Sequence, residues 1–435
     1  MEADAWADGR KGAALTDTIF ALSSGAPPAA VALIRISGPK ADAALAALAG
    51  RLPEPRVATF RRLRADGEVL DNTVILRFPG PNSATGEDIT ELHLHGGRAV
   101  VASALAALGR MDGLRPAEPG EFTRRAFENG RIDLAEAEGL ADLLEAETES
   151  QRRAALALAG GALSRQIGAW QERLLALAAQ IEAALDFSDE DDVAPLPVDF
   201  LGQVRTIRDE FAAALARPRA ERLKDGVRVA IAGPPNAGKS SLLNALVGRD
   251  AAITSPIPGT TRDLIEAPTA IGGVPFLLVD TAGMRLSSDE VETIGVRRAM
   301  SSVVMADIVV WLGRPESAPE RSIVVHAKSD LGPPSWPCDL SLSALTGEGL
   351  DGLLAELIER STSLLPGRGD VALNQRHYDC LREANNALRE VDETADLLIA
   401  AEWLRWTRNV LDRVTGKAGV EDMLDALFGR FCIGK

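Results

Sequence analysis

The chain has 435 residues, 46% of them hydrophobic and 25% charged, which predicts a globular protein of two to four domains. Its formal net charge of −16 argues against a surface that grips nucleic acid all over, since phosphate binding needs clustered Lys and Arg; a local basic patch or a basic partner stays open. No apolar run nears the roughly 20 residues of a spanning helix, the opening MEADAWADGRKGA lacks an apolar core and a cleavage pattern, and Cys338, Cys380 and Cys432 are scattered as in a reduced cytoplasm, so a cytoplasmic protein without membrane insertion is expected.

Residues 16–128 mix short strands with helices. AAVALIRISG (29–38) and NTVILRFPG (72–80) read as strands that end at glycine. In ITELHLHGG (89–97), Ile89, Glu91, His93 and His95 alternate with Thr90, Leu92 and Leu94, the pattern of a half-buried strand. VASALAALGR (101–110) reads as a helix stopped near Gly109. An α+β domain over 1–128 is expected. From 129 to 223 the pattern is helical: Leu163, Ile167, Trp170, Leu174, Ala178, Ile181 and Leu185 step by three and four along one face. DFSDEDD (186–192) and APLP (194–197) break it as a solvated loop, and a further helix covers 199–216.

Between 224 and 366 strands and helices alternate, as in a mostly parallel doubly wound sheet. From 367 the chain is helical again to 435, with Leu381, Ala384, Leu388, Val391, Ala395 and Leu398 on one face. The α/β unit therefore reads as inserted into a discontinuous helical domain.

GPPNAGKSS, from Gly233 through Asn236, Ala237, Gly238, Lys239 and Ser240 to Ser241, fits GxxxxGK[ST] between the strand VRVAIA and the helix SLLNALVG. In that setting backbone N–H groups wrap phosphates, Lys239 reaches the β/γ oxygens and the Ser240 hydroxyl can ligate Mg²⁺. DTAG (Asp280, Thr281, Ala282, Gly283) follows an apolar strand and places Asp280 near Mg²⁺ and the Gly283 N–H near the γ-phosphate. Thr261, in SPIPGTTRD (255–263), is the switch residue suited to Mg²⁺ when the γ-phosphate is present. GTP rather than ATP is argued from AKSD (327–330) and LSALTG (342–347): Asp330 accepts from guanine N1 and N2, the Lys328 stem covers the base, and Ser343 and Ala344 border it. Ala327 stands where Asn is usual, which predicts weaker guanine affinity.

Met284 occupies the place after DTAG where Ras-type proteins use Gln, so it cannot orient water. Asn236 can instead help hold a monovalent cation beside the phosphates. Glu292 either orients the attacking water or is a solvated helix residue, and Arg285 joins the catalytic candidates.

GPPNAGKSS, IPGTTRD and DTAGMRLSSDEVETIG resemble the tRNA modification GTPases of the MnmE (TrmE) family. So do PNSATGEDITELHLHGG (81–97), PGEFTRRAFENGRIDLAEAEGLADLL (119–144) and the terminal FCIGK (431–435), which are not generic GTPase motifs. The resemblance implies K⁺ bound by Asn236, Ser255, Ile257 and Thr260, Mg²⁺ by Ser240 and Thr261, and a water-positioning role for Glu292. It implies K⁺-dependent dimerisation of G domains within a homodimer. The N-terminal domain is expected to bind 5-formyl- or methylene-tetrahydrofolate through Arg35, Glu91, Arg131 and Lys435. Cys432 is expected to do thiol chemistry there or simply to pack as the tail folds onto that domain. The implied partners are tRNA and the flavin-dependent MnmG (GidA), which carries FAD; together they would modify C5 of the wobble uridine. A ribosome-assembly GTPase and a membrane-remodelling GTPase are the competitors, and neither an added RNA-binding module nor a basic amphipathic helix is visible.

Overall fold

The computed structural model describes residues 17–186, 196–249, 265–280, 303–367, 369–418 and 421–435. The acidic segment 187–192 and both nucleotide-responsive segments, 250–264 and 281–302, lie outside the described residues. The chain divides into two compact units, residues 1–141 with 415–435, and residues 142–414.

In the first unit, β1 (Thr18–Leu22), β2 (Val31–Ser37), β3 (Thr59–Ala65), β4 (Glu68–Phe78), β5 (Ile89–His95) and β6 (Leu114–Pro116) form one sheet in the order β3-β4-β5-β2-β1-β6. All neighbours are antiparallel except the pair β1 and β6. Helices α1 (Ala41–Ala49) and α2 (Arg98–Gly109) supply Leu45, Leu48, Val101 and Leu108 to a core shared with Ile34, Ile36, Leu92 and Leu94. The alternation expected of β5 holds, with Thr90, Leu92 and Leu94 buried and Glu91 and His93 half-buried. Ile89 departs from it: at the strand's start it too is buried, at 2% exposure.

Helices α3 (Glu121–Glu128) and α4 (Leu134–Glu145) follow. Leu134, Ala137 and Ala141 pack against Leu427, Phe428 and Phe431 from the last helix and tail of the chain. The tail thus belongs to this unit: Ile433 bridges to Pro119, and Gly434 (φ +96) lies so close to β1 that a Cβ would stand 2.2 Å from the Leu22 carbonyl oxygen.

Arg125 of α3 is 4% exposed and lies among carboxylates. Its Nη2 donates to Asp17 Oδ1 at 2.8 Å and Glu121 Oε1 at 3.2 Å, and its Nη1 to Glu87 Oε1 at 3.0 Å. Glu87 in turn accepts from Ser37 Oγ at 2.7 Å. Burial pushes the Asp17 and Glu121 carboxyls up, but hydrogen bonds from Arg115 and the charge of Arg125 outweigh it and hold both below the ordinary range.

In the second unit, α5 (Glu149–Ala159), α6 (Ala162–Asp186), α7 (Phe200–Leu215) and α8 (Glu221–Asp225) precede the second sheet. A capping box at Thr148 and Gln151 starts α5. The buried face of α6 runs Leu163, Ile167, Trp170, Leu174, Leu177 and Ile181. Leu177 takes the place expected of Ala178, which gives a face of alternating four- and three-residue steps, a repeat of 3.5 residues. Trp170 packs edge-on against Phe211 of α7, with ring centroids 4.7 Å apart.

The second sheet comprises β7 (Val227–Ala232), β8 (Ile265–Ile271), β9 (Val274–Asp280), β10 (Ile308–Trp311), β11 (Ile323–His326) and β12 (Leu340–Ser341), ordered β12-β11-β10-β7-β9-β8. Only β8 runs antiparallel, as a hairpin with β9. Helix α9 (Lys239–Arg249) follows β7, and α10 (Leu350–Thr362) follows β12. Among the described residues the expected strand–helix rhythm fails twice. Residues 312–322 connect the adjacent parallel strands β10 and β11 with only a 3₁₀ turn at Pro315–Ser317, too short for a crossover helix. Residues 327–339 likewise join the parallel strands β11 and β12 with only a 3₁₀ turn at Ser329–Leu331.

The last helices are α11 (Gln375–Glu393), α12 (Leu397–Thr415) and α13 (Glu421–Phe428). The face expected to run from Leu381 to Leu398 stops at Val391. Thr394 is extended (φ −94, ψ 141), and Asp396 Oδ1 accepts the Leu398 N–H at 2.9 Å to start α12, which leaves Leu398 64% exposed. Among the described residues no helix is long and apolar enough to cross a membrane.

Arg125→Met should destabilise the first unit by about 3 kcal/mol or more, because it strands buried carboxylates; amide exchange of unit peptides in urea would show it. The Asp17 and Glu121 contribution is complete above the unfolded carboxylate range near pH 4 and is lost as pH falls through their lower folded values. The same exchange measurement should therefore show protection falling on acidification in the wild type and falling less in Arg125→Met.

Candidate functional site

The loop after β7 folds for close approach. Gly233 has φ +147, and a Cβ there would stand 2.7 Å from the Leu312 carbonyl oxygen at the end of β10. Asn236 adopts φ +60, a left-handed conformation that Asn tolerates better than most side chains. The turn presents the start of α9, where unbonded N–H groups and the helix dipole favour an anion. Lys239 is 8% exposed, and its Nζ donates to the carbonyls of Gly233 at 2.9 Å and Pro234 at 2.8 Å, curling back over the loop. Ser240 Oγ donates to Asp280 Oδ2 at 2.6 Å. Hard oxygen donors side by side suit Mg²⁺. The structure therefore brings Gly233, Asn236, Ala237, Gly238, Lys239, Ser240, Ser241 and Asp280 to the carboxyl ends of β7 and β9.

The base-side residues converge on the same loop. Lys328 Nζ donates to the Asn236 carbonyl at 2.8 Å, so the expected covering residue also ties the two motifs together. Ser343, fully buried, donates to Asp330 Oδ1 at 2.6 Å and its hydroxyl accepts the N–H groups of Leu345 and Thr346 at 3.2 Å each. That holds the Asp330 carboxylate in place beside Ala344. Ala327 is 9% exposed and borders a cavity of about 630 Å³ with Trp311, Leu312, Trp336 and the loop residues Pro234 and Ala237. Sequence reasoning missed this cavity and its two tryptophans. The cavity lies where the phosphate loop meets the segments that follow β10 and β11.

Ser255, Ile257, Thr260, Thr261, Thr281, Ala282, Gly283, Arg285 and Glu292 lie outside the described residues. Of the four K⁺ candidates the described residues include Asn236 alone, which is exposed on the loop.

The first unit holds a second constellation. Arg35 and Glu91 are register partners on β2 and β5 and pair directly, Nε and Nη2 donating to Oε1 at 3.1 and 2.9 Å. The Arg35 guanidinium also stands 5.7 Å from the Phe122 ring centroid. Arg131 is exposed and lies against Gly86, and half-buried Lys435 ends the tail beside β1. Cys432 is exposed, so of the two readings for it packing does not hold, although the tail does fold onto this unit. His93 and His95 face different carboxylates: His95 Nδ1 lies 2.8 Å from Asp71 Oδ1, while His93 Nε2 stands 3.7 Å from Glu91 Oε2. Among the described residues no three His, Cys, Asp or Glu side chains gather as a metal set.

A family model described as the MnmE helical domain matches residues 134–432, and one described as the GTP-binding protein TrmE N-terminus matches residues 18–131. Proteins called tRNA modification GTPase MnmE match nearly end to end. That of Erythrobacter litoralis is 57% identical over 96% of this chain and 100% of its own, and that of Rhizorhabdus wittichii is 57% identical over 98% of both. The chain belongs to the MnmE family of tRNA modification GTPases. Among solved structures, the G domain of the T. maritima FeoB iron transporter is 26% identical over 31% of this chain and 98% of its own, with a TM-score of 0.23. The MnmE match spans both units, so the constellation around Glu91 is as much a part of the family's chain as the phosphate loop.

Gly233→Ala should weaken binding of a fluorescent GDP analogue about tenfold or more, since strain of this kind amounts to roughly 1–3 kcal/mol. A titration showing unchanged affinity would mean that the loop relaxes away from Leu312 at no cost.

Proposed function

We propose that this GTPase is the GTP-hydrolysing subunit of a complex that modifies C5 of the wobble uridine in tRNA. It would install a carboxymethylaminomethyl or aminomethyl group together with a flavin-dependent partner of the MnmG kind, on which FAD is carried. What supports the reading is the match to tRNA modification GTPases along the whole length, N-terminal unit, helices and tail included. The domain plan is a folate-binding, dimerising domain over 1–128, a helical domain over 129–223 and 367–435, and a G domain over 224–366. The protein acts in the cytoplasm as a homodimer. Its charge of −16 suits a division of labour in which the partner holds most of the tRNA.

On this reading Lys239 leaves the carbonyls of Gly233 and Pro234 for the β/γ-phosphates, which are stronger acceptors. Ser240 and Thr261 hold Mg²⁺, with Asp280 behind Ser240, and the ion neutralises charge on the phosphates. Asn236, Ser255, Ile257 and Thr260 hold K⁺ where an arginine finger stands in other GTPases. Glu292 orients the attacking water, with Arg285 in the same segment, while Thr281, Ala282 and Gly283 border the γ-phosphate. Asp330 reads guanine. In the first unit Glu91 meets the donor edge of a reduced pterin, Arg35 fixes Glu91, and Arg131 and Lys435 offer charge to the folate carboxylates. Cys432, exposed in the tail, is the thiol at that site.

GTP hydrolysis by the purified protein should run about tenfold or more faster in potassium than in sodium buffer of equal ionic strength, a part of the roughly 10³-fold an arginine finger supplies. Asn236→Ala should erase the difference. Equal rates in the two salts would rule out cation-activated hydrolysis. Separately, Ala327→Asn should tighten GDP binding severalfold by adding one hydrogen bond beside the base.

A further inference from the structure

The face of the N-terminal sheet opposite α1 and α2 carries a polar atom that none of the described residues satisfies. Glu91 and His93 sit two residues apart on β5 and so share a face. Across the sheet Glu91 stands between Arg35 of β2 and Leu76 of β4, and His93 between Leu33 and Val74. Arg35 directs both of its hydrogen bonds to one Glu91 oxygen, Oε1. The other oxygen, Oε2, faces His93 Nε2 at 3.7 Å, beyond hydrogen-bond reach. Nε2 is shielded from solvent and has no hydrogen-bond partner among the described residues, although 31% of the His93 side chain is open. Buried polar atoms in native proteins are almost always paired, with protein, water or ligand. A structural histidine here would turn this nitrogen to a partner, as His95 does with Asp71 at 2.8 Å. His93 instead places it next to the carboxylate oxygen that Arg35 leaves open.

We propose that His93 is a specificity-determining residue of the N-terminal site. With a proton on Nε2 it donates to the carbonyl oxygen of a ring lactam, while Glu91 Oε2 accepts the adjacent ring N–H. An acceptor and a donor side by side are complementary to a donor and an acceptor side by side, and a lone carboxylate is not. The inference rests on the folate reading given above, since the 4-oxo edge of a reduced pterin is such a lactam. It adds a selection rule to that reading. A 4-amino pterin puts a donor opposite the Nε2–H, leaves both unpaired, and is rejected for that reason. Val74, 37% exposed beside His93, gives the ring an apolar surface to lie on.

Calorimetric titration of the full-length protein with 5-formyl-tetrahydrofolate and with its 4-amino-4-deoxy analogue tests this. The wild type should bind the 4-oxo compound about tenfold or more tightly, the discrimination expected of one lost hydrogen bond. His93→Ala should weaken the 4-oxo compound about tenfold and leave the 4-amino compound unchanged. His93→Gln, whose amide can donate, should restore most of the preference. Equal weakening of both compounds by His93→Ala, or of neither, overturns the proposal. Glu91→Ala separates the two layers. If it abolishes binding of both compounds while His93→Ala does nothing, the folate reading stands and His93 has no part in it. If Glu91→Ala binds both compounds as the wild type does, the folate reading fails and takes the His93 proposal with it.

Discussion

The N-terminal site depends on one buried cation. Arg125, 4% exposed, would be untenable without acceptors, and its three carboxylates come from three places: Asp17 before β1, Glu87 in the loop before β5, and Glu121 in its own helix. Those contacts fix the loop through which the chain enters β5. Ser37 at the end of β2 is drawn in through Glu87, and Asn129, just past α3, donates to the Thr85 carbonyl at 2.7 Å. Arg131 follows Asn129 and so lies against Gly86. The segment that carries Arg131 and the loop that leads to Glu91 are therefore braced by contacts outside the proposed folate set, the kind of outer support that keeps a site preorganised.

In the second unit the equivalent constraint is steric. Gly233 runs against the end of β10 with no room for a Cβ, and the Leu312 N–H donates to the Ala232 carbonyl at 2.8 Å, so the phosphate loop leaves β7 in only one direction. Lys328 then ties the loop to the base side through the Asn236 carbonyl. That bond offsets part of what Ala327 removes, because it holds the two motifs in register; it does not replace a side-chain donor to the base.

What was legible in the sequence follows from how local each cause is. The phosphate loop could be read because backbone wrapping of phosphate needs Gly, Lys and Ser at fixed spacing within one turn. β5 could be read because alternation over seven residues is a local signal. The pairing of Arg35 with Glu91 could not be derived from the residues, since it depends on a register between strands 56 positions apart. Resemblance named both residues as folate candidates but not their pairing, and it offered no reason to look at His93. The face of α6 was misjudged at Ala178, although the alternating steps of four and three that lead to Leu177 are themselves in the sequence. The break after Val391 was missed because Thr394 and Asp396 are weak signals until Asp396 is seen to accept the Leu398 N–H.

The nucleotide site is also wired to the helices. Strand β9 ends at Asp280, which accepts from Ser240, and begins at the hairpin turn containing Gly273. The Gly273 carbonyl accepts two bonds from the first turn of α5, the Ser150 N–H at 3.1 Å and the Ser150 hydroxyl at 3.0 Å. One residue on, Gln151 Nε2 donates to the Leu223 carbonyl of α8 at 2.8 Å, and α8 leads directly into β7. The strand before the phosphate loop and the strand that presents Asp280 are thus both fastened to the start of one helix. Neither can slide along the other without breaking a partly buried hydrogen bond to α5, and each such loss costs on the order of 1 kcal/mol. A displacement of either strand therefore has to move α5 with it or give up such a bond.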